Sequence, residues 1–127
     1  MSGPDLPTPE GVPPRDLPTP GRPVPSSASG RPIMVLLDLL GRRWALRVLW
    51  ELRDRPAPSF RALQAACGGA SSSVLSSRLA ELTAAGIIER SEQGYRLTEE
   101  GRFLVASLQT MNAWADRWAE RADQALP

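Results

Sequence analysis

Nine of the chain's 13 prolines fall within its first 30 residues, and this asymmetry confines any hydrophobic core to the rest of the chain. Proline fixes φ and removes an amide donor, and the segment carries almost no large apolar side chain. It is expected to be disordered or locally polyproline II. The pentapeptide DLPTP occurs in it twice, at Asp5–Pro9 and Asp16–Pro20. It reads either as a docking motif for a partner or as low-complexity drift. Residues 31–127 are enough for one domain with a single modest core.

Several chemistries are excluded by composition. The chain has no histidine, which removes His-containing zinc sites and Ser–His or Cys–His catalysis. Its one cysteine, Cys67, cannot make an internal disulfide, which fits a reducing cytoplasm. No apolar run reaches the roughly 18 residues of a membrane span. No basic stretch followed by an apolar one opens the chain, so a secretory signal is not expected. With no phosphate-cradling glycine loop and no cluster of ligating carboxylates, neither an enzyme nor a cofactor is expected. The net charge of +1 is too small to argue nucleic-acid binding from charge alone. All 15 basic residues are arginine. A GC-rich coding sequence is the plain explanation, although arginine is also the better bidentate donor to phosphate and guanine.

From Pro32 the composition changes abruptly to IMVLLDLLGRRWALRVLWELRD. Gly41 ends a short helix over about 33–40, and a longer one is expected over about 42–54. Trp44, Val48 and Leu52 share a face of the second helix, with Leu49 beside it. Arg42, Arg43 and Arg47 then form a solvated edge or a phosphate contact. Arg55-Pro56-Ala57-Pro58 is a rigid break, after which Ser59 caps a short helix with Phe60, Leu63 and Ala66 or Cys67 on its apolar side.

Gly68-Gly69 leads into SSSVLSSRLAELTAA, residues 71–85. Ser71 or Ser72 caps this helix, Gly86 closes it, and Leu75, Leu79 and Leu82 make one narrow apolar stripe. Ser73, Ser76, Ser77 and Ala80 face away from the stripe, with Ser72 and Arg78 on its flanks. Short side chains on an outer face let a helix approach another surface closely, as a groove requires. Two short helices joined by a glycine turn, the second with such a face, form a helix-turn-helix arrangement.

The segment GIIERSEQGYRLT holds Ser91-Glu92-Gln93-Gly94 between β-formers, which predicts a tight hairpin with Gly94 at positive φ. Ile87, Ile88, Tyr95 and Leu97 anchor it while Arg90 and Arg96 project. A helix-turn-helix followed at once by a hairpin is a winged helix, so the expected class is mainly α with a small β wing. Thr98 caps a last helix over about 98–124, with Glu99 and Glu100 where the helix dipole favours anions. Leu104, Leu108, Met111, Ala115, Trp118 and Ala122 keep a coiled-coil-like 4-3-4-3-4 spacing. At about 1.5 Å per residue that helix is roughly 35–40 Å long, more than a small winged domain needs. A dimer interface with the matching helix of a second copy is therefore preferred over purely intrachain packing.

These landmarks together resemble the HxlR-type winged helix-turn-helix transcriptional regulators, relatives of the MarR group. The resemblance rests on RPIMVLLDLLGRRWALRVLWEL, on SFRALQAACGGASSSVLSSRLAELTAAGIIER and on YRLTEEGR, in family order and with near-family spacing over about residues 31–118. It implies a bacterial, cytoplasmic, homodimeric regulator that binds promoter DNA sequence-specifically, usually as a repressor. It places Ser72, Ser73, Ser76, Ser77 and Arg78 on the recognition surface and Arg90 and Arg96 on the wing strands. The family's frequent sensor cysteine falls at Arg31, so thiol sensing does not transfer, and Cys67 reads as a packed thiol. The recognition face also lacks the Lys, Gln or Asn common there. Arg78 either reads guanine or forms an i,i+3 pair with Glu81. The near-neutral charge, the serine face and the short wing support an alternative, a winged-helix protein adaptor that no longer reads DNA. Trp44, Trp50, Trp114 and Trp118 either line an aromatic effector pocket in a dimer or pack an ordinary interface.

Overall fold

A computed structural model describes residues 30–125. The proline-rich segment with its two DLPTP copies lies outside the described residues, apart from Gly30. Among the described residues seven elements run in chain order: α1 (Pro32–Leu40), α2 (Ala45–Asp54), α3 (Phe60–Cys67), α4 (Ser72–Ala84), β1 (Ile88–Arg90), β2 (Tyr95–Leu97) and α5 (Glu99–Ala125). Proline at the first position of α1 loses no hydrogen bond, because that amide has no intrahelical acceptor. Gly41 closes the helix, its amide donating to the Leu37 carbonyl at 2.9 Å.

The second helix begins three residues later than the sequence predicts. Gly41–Trp44 forms a turn, with Trp44 in the left-handed region at φ 75° as the residue before α2. An aromatic residue occupies that region only at a cost, on the order of 1–3 kcal/mol. The ring's position shows what compensates: it lies against Gly69, where an added Cβ would stand 3.3 Å from the indole edge. A continuous helix through Trp44 would direct the ring elsewhere and lose this link between the α1–α2 and α3–α4 turns.

Helices α3 and α4 start as expected, with Ser59 Oγ accepting from the Ala62 amide at 3.1 Å and Ser71 Oγ from Val74 at 3.2 Å. Gly68, left-handed at φ 73°, ends α3. The leucine stripe of α4 is wholly buried. Leu75 and Leu82 join Val48, Leu49, Leu63 and Ile88 at the centre of the core.

The wing is a two-stranded antiparallel hairpin in the register Ile88↔Leu97, Glu89↔Arg96, Arg90↔Tyr95. Its turn closes where the Ser91 amide donates to the Gly94 carbonyl at 2.7 Å. Gly94 takes the positive φ that the sequence predicts, at 157°, where a side chain is strained, and a Cβ there would also fall on the Pro58 carbonyl. The Tyr95 amide donates to that same carbonyl at 2.9 Å. The rigid break at 55–58 thus also has a tertiary role, its Ala57–Pro58 backbone lying against Gly94 and Tyr95 at the start of β2. Helix α5 is capped by Thr98, whose Oγ1 accepts from the Gly101 amide at 3.0 Å and donates to the Gly86 carbonyl at 2.7 Å. Gly101 lets α5 cross the hairpin base, because a Cβ there would collide with the Ile87 carbonyl.

Candidate nucleic-acid interface

Helix α4 carries its four serines off the leucine stripe, at different depths. Ser72 and Ser73 are exposed, and Ser76 and Ser77 are half-buried. Two of these hydroxyls have local partners: Gln64 Nε2 donates to Ser72 Oγ at 3.2 Å and also to the Ala70 carbonyl at 3.2 Å, and Ser73 Oγ lies 3.4 Å from Ser71 Oγ. Gln64, at the edge of this surface, escaped the sequence reading because it sits on the preceding helix. The face is shallow and neutral. It can enter a groove closely and exchange hydrogen bonds with phosphates and base edges, but a hydroxyl discriminates bases less than a bidentate side chain does.

Arg78 does not project from that face. Its Nε donates to the Arg43 carbonyl at 2.9 Å, and its Nη1 lies 2.7 Å from both carboxylate oxygens of Glu81. Of the two roles open at Arg78, the structure realises the i,i+3 pair and adds a backbone contact. Glu81 also takes Arg42 Nη1 at 2.8 Å, and Arg42 Nη2 lies 3.5 Å from Asp38. Arg47 donates to Glu51 at 2.8 Å and to the Ala66 carbonyl at 3.0 Å. Arg42 and Arg47 are therefore drawn into internal networks, whereas the Arg43 guanidinium lies over the Trp44 ring at 5.7 Å.

Strand β1 packs beside α4, which makes the wing a neighbour of that helix. Both wing arginines are exposed. Arg90 lies over the Tyr95 ring at 5.3 Å, and Arg96 Nε donates to Glu89 across the hairpin at 2.7 Å. Such exposed pairs contribute about 0–1 kcal/mol and exchange readily for a phosphate.

The predicted seam of α5 divides. Leu104 and Leu108 are half-buried against the core, and Val105, outside the predicted spacing, is buried. Met111, Ala115 and Trp118 are exposed, as are the described side chains from Gln109 onward. Trp114 and Trp118 stack on each other with centroids 5.9 Å apart. A groove of about 540 Å³ runs between α2 and α5, lined by Leu46, Arg47, Trp50, Leu108, Met111, Asn112 and Ala115. Of the four tryptophans only Trp50 lines it, and Trp44 packs on Gly69 instead.

Cys67 is buried, and burial pushes its thiol above the ordinary range, so it is a poor nucleophile. Among the described residues no group of His, Cys, Asp or Glu side chains is arranged to hold a metal, and no helix is long and apolar enough to cross a membrane.

Known proteins with this arrangement agree on its class. A model of the family described as HxlR-like helix-turn-helix matches residues 39–123. The HTH-type transcriptional regulator YodB of Bacillus subtilis (strain 168) is 36% identical over 93 residues, covering 68% of this chain and 82% of that protein. YvaP of the same organism, an uncharacterized HTH-type transcriptional regulator, is 30% identical over 91 residues, covering 66% and 83%. The crystal structure of quinone-bound YodB superposes with a TM-score of 0.63 at 36% identity, covering 67% of this chain and 96% of that one. A possible HxlR family transcriptional factor from Thermoplasma volcanium GSS1 gives a TM-score of 0.53 at 30% identity, covering 65% and 82%. This chain belongs to the HxlR family and is a DNA-binding transcriptional regulator with a winged helix-turn-helix fold.

Proposed function

We propose that the protein is a cytoplasmic, homodimeric repressor that binds promoter DNA sequence-specifically. Ser72, Ser73, Ser76 and Ser77 of α4 enter the major groove, and Arg90 and Arg96 of the wing meet flanking phosphates. The observation that carries this reading is the pairing of a small-residue face on α4 with an adjacent arginine-bearing hairpin. Homodimerisation is supported by the distal part of α5, where Met111, Ala115 and Trp118 continue the seam of Leu104 and Leu108 into solvent. Ile33 and Leu37 of α1 are exposed as well, at 57% and 45%. Isolated helices with exposed apolar seams are stabilised by burying them against a partner helix.

Fluorescence anisotropy with DNA from upstream of the protein's own gene, titrated at two salt concentrations beside a scrambled duplex, tests the function. Tight binding that prefers the native duplex and weakens steeply with salt is expected, because each neutralised phosphate releases counterions. No binding at low salt would overturn it and leave the protein adaptor as the better reading. The relative YodB has been crystallised with a quinone. For this chain we place a small-molecule effector in the α2–α5 groove, where an aromatic ligand would meet Trp50 on the face away from Arg53 and share Leu108, Met111 and Ala115 with the dimer seam. A ligand that alters both Trp50 emission and DNA affinity would support that placement, and one acting equally on a Trp50→Phe variant would exclude it.

A further inference from the structure

The apolar seat of helix α4 on the core is one narrow stripe, Leu75, Leu79 and Leu82. A stripe of this kind sets how deep a helix sits but resists roll about its own axis weakly. Roll decides which serines point into a groove, and on a face without bidentate side chains it governs most of the achievable discrimination. The contact that resists roll lies on the flank of the helix. Glu81, whose side chain is 4% exposed, receives two guanidinium groups, Arg78 from its own helix and Arg42 from the α1–α2 turn. Arg78 reaches on to the Arg43 carbonyl in the same turn, and Arg42 reaches back to Asp38 of α1. One carboxylate thus ties α4 directly to the α1–α2 turn and, through Arg42, to Asp38 of α1. It also occupies Arg78, the only cation on α4.

We propose that Glu81 is a positioning residue for DNA recognition: it fixes the roll of α4 against the α1–α2 turn and withholds Arg78 from the phosphates. The proposal rests on the DNA-binding reading of the α4 face. Its physical basis is the asymmetry of a shared, shielded carboxylate. Neutralising it leaves two guanidinium groups facing each other in poor solvent. Arg42 retains Asp38, whereas Arg78 loses its only carboxylate, and its long side chain then turns outward to the nearest anion. On a docked helix that anion is a DNA phosphate.

The test is Glu81→Gln, which keeps the shape and removes the charge. Its anisotropy titrations against native and scrambled duplexes should show several-fold tighter binding to the scrambled duplex. The salt dependence should steepen by about one phosphate contact, and the preference for the native duplex should drop several-fold. In the double variant E81Q/R78Q the gain on scrambled DNA should disappear while the preference stays low. A Glu81→Gln protein that melts earlier but keeps its preference and salt slope would reduce Glu81 to a structural ion pair and overturn the proposal. A gain that persists in E81Q/R78Q would also overturn it, because Arg78 would not be the released cation.

Amide exchange without DNA gives an independent readout. In Glu81→Gln, residues 41–45 should exchange faster while β1 and β2 stay as in wild type, and unchanged exchange at 41–45 would sink the clamp. A wild type that binds neither duplex would fail the DNA-binding reading alone, since exchange still decides whether the clamp exists. Should Glu81→Gln not fold, Arg78→Gln breaks the same contact from the other side. It should lose preference without gaining on scrambled DNA, and a retained preference would overturn the proposal.

Discussion

Gly101 and Cys67 show how single positions are constrained by neighbours far away in sequence. Gly101→Ala places a methyl group on the Ile87 carbonyl, and neither backbone can yield easily. We expect a loss of about 1–3 kcal/mol in a denaturant melt, the range for overpacking a close contact. Burial raises the Cys67 thiol pKa, so the folded protein keeps its proton at pH values where the unfolded chain releases it. The unfolded state then binds fewer protons and stability falls with rising pH. Wild type should lose stability relative to Cys67→Ala as pH climbs through about 8.5, the thiol's ordinary value. Thermal melts across that range check the sign, and a parallel pH dependence of the two proteins would show that burial does not shift this thiol.

On the proposed reading helix α4 joins two functions that pull in different directions. Its leucine face must hold the core, and its serine face must stay shallow. Replacing Leu79, 3% exposed, with Ala should cost about 2–5 kcal/mol because it opens a cavity in the centre of the core. Replacing the capping Ser71 with Ala should cost about 1 kcal/mol and fray the first turn, where Ser72 and Ser73 lie. Thermal melts separate these effects from those of Ser76→Ala, which should leave stability nearly unchanged and lower only the preference for native DNA. On the proposed reading the wing acts by charge rather than by reach. Its turn spans only Ser91–Gly94, so Arg90→Ala or Arg96→Ala should weaken native and scrambled duplexes alike and flatten the salt dependence. A selective loss on the native duplex would assign base reading to the wing instead.

At the scale of the whole molecule the balance is between a small core and a long helix. Helix α5 spends its first turns on the core, where Leu104, Val105 and Leu108 pack, and then runs on with its side chains in solvent. Trp118 is 57% exposed and Met111 60%, so charges placed there leave the buried core untouched and cost only the Trp114–Trp118 stack and one wall of the α2–α5 groove. Met111→Glu with Trp118→Arg should leave the monomer folded by circular dichroism and shift sedimentation from dimer to monomer. DNA affinity should fall with it, because two half-sites are no longer held together. An unchanged sedimentation coefficient would remove α5 from the dimer interface.

Local physics determined most of the elements from sequence alone. Serine before an apolar run sets a helix start at Ser59 and Ser71, leucines at helical spacing set the buried stripe of α4, and a polar turn between β-formers sets the hairpin. These signals act over a few residues, so they survive in one dimension. Tertiary structure decided what depends on partners distant in the chain. Trp44 leaves the helical path because Gly69 offers its ring a surface, which delays α2 to Ala45. Pro58 becomes a neighbour of β2 only once Tyr95 donates to its carbonyl. Arg78, with two roles open to it by spacing, is claimed by Glu81 and by a carbonyl 35 residues away. Periodicity shows which face of a helix is buried, but a charged side chain goes to the nearest opposite charge that the fold supplies.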